Sequence, residues 1–162
     1  MLKLSFISLL FISSLVNAEE TRHANAHVHG LNNLTMVLSQ NQIAITYEMP
    51  IIQLYEEHEE LAIKNESLKA FENHLQLFEF PIGAECELSS FKSELHNVST
   101  EGDHKDIELS YEFYCNEPNL LNGIQINAFE RFDGLQMVNF DAIINNQGFI
   151  KSFNSLESKI TF

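Results

Sequence analysis

Alternation of apolar and polar positions along the chain predicts strands far more often than helices. Residues 34–38 and 43–49 read as two strands joined by Ser39, Gln40 and Asn41. In the second, Ile43, Ile45 and Tyr47 alternate with Ala44, Thr46 and Glu48, so one face is buried. Pro50 ends it, because proline has no N–H to give to a ladder. Residues 106–115 alternate most cleanly. Ile107, Leu109, Tyr111, Phe113 and Cys115 share one side, and Glu108, Ser110, Glu112 and Tyr114 the other. Residues 135–144, 148–153 and 156–162 read as further strands, with turns at 145–147 and 154–155. Residues 120–132 read equally as a strand or a short helix.

One segment has a helical period. Leu68, Phe71, Leu75 and Phe78 form a single stripe, with Asn65 as N-cap, Glu66 at the positive end, and Pro81 and Gly83 as stops. Residues 89–106 are polar and predict a long loop. Strands do not alternate with helices, so a doubly wound parallel sheet is not expected. The fold class predicted is α+β: a single domain of mostly antiparallel sheet packed with one main α-helix.

Composition narrows the function. The chain has 162 residues, 44% of them hydrophobic, and a formal charge of −14. That apolar share builds a core, and the charge repels nucleic acid and anionic membrane surfaces. Residues 1–18 carry Lys3, an apolar run and a small residue, Ala18, after Val16-Asn17, which is the pattern of a secretory signal peptide. The expected mature protein is a single domain, residues 19–162, in the periplasm, with no membrane insertion after cleavage. Export to an oxidising compartment makes a Cys86–Cys115 disulfide the expected state of the two cysteines.

The chemistry concentrates in histidines. R-H-A-N-A-H-V-H-G, residues 22–30, holds His23, His27 and His29. In an extended chain residues two apart point the same way, so His27 and His29 present two imidazoles together. Neutral imidazole suits zinc, copper and nickel, and a zinc site needs three or four ligands. The remaining ligands would come from Glu57, His58, His104, Asp103 or His96. A weakly chelating tail is the plainer reading of the same histidines. His58 stands among Glu56, Glu57, Glu59 and Glu60, which is either a second half of the site or a solvated acidic face. His74 lies on the flank of the predicted helix and reads as a surface residue. Enzyme signatures are missing: there is no H-E-x-x-H, no G-x-S-x-G and no phosphate-binding loop.

As a set, these landmarks resemble the ZrgA-type family of zinc-regulated exported proteins. They are H-V-H-G at 27–30, Pro50, Glu57-His58, Cys86, Y-E-F-Y-C at 111–115, Pro118 and Gln147-Gly148. The resemblance implies a periplasmic zinc-binding protein that accompanies a zinc-uptake ABC transporter and is not an enzyme. It carries over His27, His29, Glu57 and His58 as candidate ligands or near neighbours. Two departures stand out. Tyr55 and Glu56 occupy positions that usually read Gly-Phe, and the long His/Asp/Glu-rich insert between the cysteines is absent, leaving only His96 and His104. One zinc site, or a small number, is therefore expected. Two rival readings are an envelope adaptor that binds another protein, and a copper or nickel binder.

Overall fold

A computed structural model describes residues 30–54, 68–97 and 105–162. The described strands are β1 (Leu31–Ser39), β2 (Gln42–Pro50), β3 (Phe78–Glu79), β4 (Cys86–Asn97) and β5 (Lys105–Cys115). They continue with β6 (Gly123–Ile126), β7 (Met137–Ile144), β8 (Gln147–Phe153) and β9 (Lys159–Thr161). Six of them form one sheet in the order β4-β5-β2-β1-β7-β8, and three form a second, β3-β6-β9. Every pairing is antiparallel except β1 with β7, which is parallel.

The architecture is a β-sandwich-like pair of sheets, which corrects the predicted α+β fold with a main helix. The one α-helix that lies wholly within the described residues is short, α1 (Ala128–Arg131). Of the segment predicted as the main helix, the cap residues Asn65 and Glu66 lie outside the described residues, and from Lys69 onward it is two 3-10 turns, Lys69–Glu72 and His74–Gln76, running into β3. Its buried positions explain the error. Leu68, Phe71 and Leu77 are buried and His74 is half-buried, a spacing of three that matches 3.0 residues per turn rather than 3.6. Leu75, assigned to the stripe, is 53% exposed.

The polar stretch predicted as a loop is also corrected: residues 89–97 belong to β4 and 105–106 to β5, while 98–104 lie outside the described residues. A bulge between Leu88 and Ser90 breaks the period-two pattern, after which Phe91, Ser93 and Leu95 lie opposite Tyr111, Leu109 and Ile107. The long strands of the larger sheet that were predicted from alternation keep it. Inward residues of β1, β2, β5 and β7 are buried at every second position. Residues 120–132 contain both expected elements in turn, β6 and then α1. The β7–β8 turn uses Asn145 and Asn146 at φ 50° and 68°, a left-handed pair that asparagine tolerates and that suits a two-residue hairpin.

Aromatic rings fill the space between the sheets. Tyr111 meets Phe78 edge-on at 5.4 Å, and Phe113 meets Phe80 edge-on at 5.2 Å. The Tyr111 hydroxyl donates to the Phe71 carbonyl at 2.8 Å, tying the 3-10 segment to the larger sheet. Asn32 Nδ2 donates to the Tyr47 hydroxyl at 2.7 Å. Burial pushes both phenols well above their ordinary range. The Cys86–Cys115 disulfide joins directly opposed residues of β4 and β5. His74 sits between rings, edge-on to Phe113 at 4.8 Å and tilted against Phe78 at 5.5 Å, and burial lowers its pKa. It is a packing residue more than the surface histidine that the helical pattern suggested.

Two predictions follow from this packing. Tyr111→Phe leaves the Phe71 carbonyl without its donor and is expected to lower the unfolding free energy by about 1–3 kcal/mol in urea denaturation. Burial holds the His74 pKa in the fold below the ordinary 6.5 at which the unfolded chain titrates. The unfolded state then binds more protons, so stability is full above that pH and declines as pH falls through and below it. His74→Phe is expected to flatten that decline, as read from unfolding midpoints between pH 4 and 8.

Candidate metal centre

His23, His27, His29, Glu57, His58 and His104 lie outside the described residues. The strands nevertheless fix where the segments that carry them attach. Residues 1–29 end at Gly30, immediately before β1. Residues 55–67 follow Leu54, the last residue of a 3-10 turn (Ile51–Leu54) that begins as β2 ends. Residues 98–104 connect Asn97 of β4 to Lys105 of β5, which are paired with each other.

Register brings these attachment points together. Asp106 is opposite both Pro50 of β2 and His96 of β4. Leu31 is opposite Met137, while Asn33, two residues further along β1, is opposite Glu48 of β2. The start of β1, the end of β2, the end of β4 and the start of β5 therefore share one end of the six-stranded sheet. The disulfide and the turns at Gln40-Asn41 and Asn145-Asn146 occupy the other.

Gly30, the last residue of H-V-H-G, has a structural role at this end. Its φ is +86°, and a Cβ there would sit 2.6 Å from the Gly134 carbonyl oxygen. Its own carbonyl accepts from the N–H groups of Gln136 at 2.8 Å and Met137 at 3.0 Å. The glycine lets the chain enter β1 pressed against the start of β7.

Buried polar atoms collect nearby. Asn32 is fully buried, and among the described residues its Oδ1 has no hydrogen-bond partner, nor do Nε2 and Oε1 of Gln53. Leaving such an atom unpaired costs about 1–3 kcal/mol. An acceptor of this kind suits the second ring N–H of a metal-binding imidazole, which almost always donates to a neighbour. Sequence reading missed both residues, since neither belongs to a ligand type. An inward-facing Asn in an otherwise apolar alternation was the available signal for Asn32.

His96 is the one candidate ligand that falls among the described residues. It is half exposed near the end of β4, with Nε2 3.5 Å from Glu108 Oε2 and 3.7 Å from Glu94 Oε2. Among the described residues no group of three or more His, Cys, Asp or Glu is arranged to hold a metal ion.

The sequence model of the ZrgA family, described as zinc uptake proteins, matches residues 26–162. No curated protein matches the chain.

Proposed function

We propose, from the fact that the chain belongs to the ZrgA family of zinc uptake proteins, that it captures zinc at the end of the six-stranded sheet where three segments attach. His27 and His29 are the first ligands, and His58 or Glu57, with His104, completes the set. His23 is an auxiliary donor on the same N-terminal segment. The observation that supports this reading is the register. Segments that are far apart in sequence and carry the candidate ligands all attach to that one end. The unpartnered buried oxygens Asn32 Oδ1 and Gln53 Oε1 lie beside those attachments and supply acceptors for ligand N–H groups.

In this reading zinc is cargo. A site with three protein ligands leaves a fourth position through which the ion is passed on. The recipient we propose is a zinc ABC-transporter system, and the compartment is the periplasm, reached by way of residues 1–18 as a signal peptide. No reaction is assigned to the chain.

Tag-free protein, residues 19–162, is expected to bind about one zinc per chain by competition titration. His27→Ala combined with His29→Ala is expected to weaken that binding by more than about a hundredfold. Affinity is also expected to fall as pH drops through about 6.5, because protons compete for the imidazoles. Unchanged stoichiometry and affinity in the double variant would contradict the assignment.

A further inference from the structure

The face of the six-stranded sheet turned away from the core carries an ordered pattern that zinc capture does not use. One row of directly opposed residues crosses all six strands: Glu94, Glu108, Glu48, Asn33, Asn139 and Ser152. Its neutral half is internally bonded. Ser152 Oγ donates to Asn139 Oδ1 at 3.0 Å, and Asn139 Nδ2 donates to Asn33 Oδ1 at 3.4 Å. Its other half is three glutamates side by side, and like charges directly opposed across strands are destabilising. Lys92, one row further along, is the only cation among the described residues of this face. Among the described residues Glu94 and Glu108 form ion pairs only with His96, at 3.7 Å and 3.5 Å, and Glu48 accepts from Asn33 Nδ2 at 3.5 Å.

Four residues further along β2 from Glu48, the same face carries exposed apolar side chains, with Glu112 opposite Ala44 and Asp141 opposite Ile150. Val37 is opposite both Ala44 and Ile143, with Ile150 on the neighbouring strand. Val37 is 45% exposed, Ile143 50% and Ile150 86%. The glutamate row and the row of Val37 and Ile143 are thus offset by about 13 Å along the strands of one surface, at the strand rise of about 3.3 Å per residue.

We propose that this face docks a basic segment of a partner protein, one that presents Lys or Arg to the glutamate row and apolar side chains to the Val37–Ile143–Ile150 patch. Charge complementarity selects that occupant. The glutamates repel an anionic lipid surface, a nucleic acid and the same face of a second copy of this chain. A metal ion would meet the carboxylates but has no use for the apolar patch. The inference does not depend on the zinc site.

The test places a photo-activated cross-linking residue at Ile150 of the full chain, in cells that naturally make it. Ile82, 96% exposed and outside this face, is the control position. The expected result is an adduct from position 150 and not from 82, joined through a basic segment identified by mass spectrometry. That adduct is expected to fall at least about tenfold in the Glu48→Gln, Glu94→Gln, Glu108→Gln variant, given the strength of charge steering. The same variant is expected to unfold at or above the parent's midpoint, since it relieves repulsion; Glu48→Gln alone serves if the triple variant does not fold. No adduct at position 150, an equal adduct at 82, or an adduct undiminished in the carboxamide variants would overturn the proposal. So would an adduct that disappears on chelation of divalent ions, which would make a metal the occupant of the row.

Discussion

The inward face of the six-stranded sheet must be kept from water, and the rest of the fold follows from that burial. Tyr47, Tyr111, Phe113, Phe140 and Phe153 all point inward and are at most 1% exposed. At roughly 25 cal/mol per Å² of apolar surface, no surface ion pair matches the stabilisation of burying such rings. The smaller sheet and the 3-10 segment supply the cover, and the Tyr111–Phe71 hydrogen bond locks that cover in place. A disulfide between opposed residues of β4 and β5 closes one end of the sheet. The ladder pairing then fixes which loops emerge together at the other end. A metal site assembled from separate segments depends on that register, because a one-residue slip would send each strand's side chains to the opposite face.

Period-two burial was the legible part of the fold. β5 alternates without interruption between Ile107 and Cys115, and the structure keeps that alternation. What misled was chemistry that imitates another period. Leu68, Phe71, Leu75 and Phe78 satisfy a helical stripe on paper, yet burial recurs every three residues and Leu75 faces water. In β4 the outward residues are polar, one inward position is Ser93, and a bulge shifts the pattern, so residues 89–97 of a twelve-residue strand read as loop. The parallel pairing of β1 with β7 had no local signal, since it joins residues about a hundred positions apart.

The candidate site was legible in a different sense. Histidine spacing in H-V-H-G and the Glu57-His58 pair identify ligand types, and the disulfide was expected from the compartment. What sequence could not supply was juxtaposition. That Pro50, Asp106 and His96 stand in one line is a property of the ladders, not of any motif. The same ladders give the glycine of H-V-H-G a plain steric duty against Gly134, separable from any role of the two histidines before it. Asn32 and Gln53 were invisible as site residues because their interest lies in unmet hydrogen bonds, which only packing reveals.

The central claim is that zinc is taken up at the end of the six-stranded sheet where the three segments attach. The most direct measurement is a zinc titration followed by backbone amide NMR on the tag-free chain. The account predicts saturable shifts at Gly30–Asn33, Ile51–Leu54, His96 and Ile107, with Gln40, Asn41, Tyr114 and Asn145 at the opposite end unmoved. Shifts centred on the disulfide end, or scattered weakly over exposed carboxylates with no saturation, would contradict it.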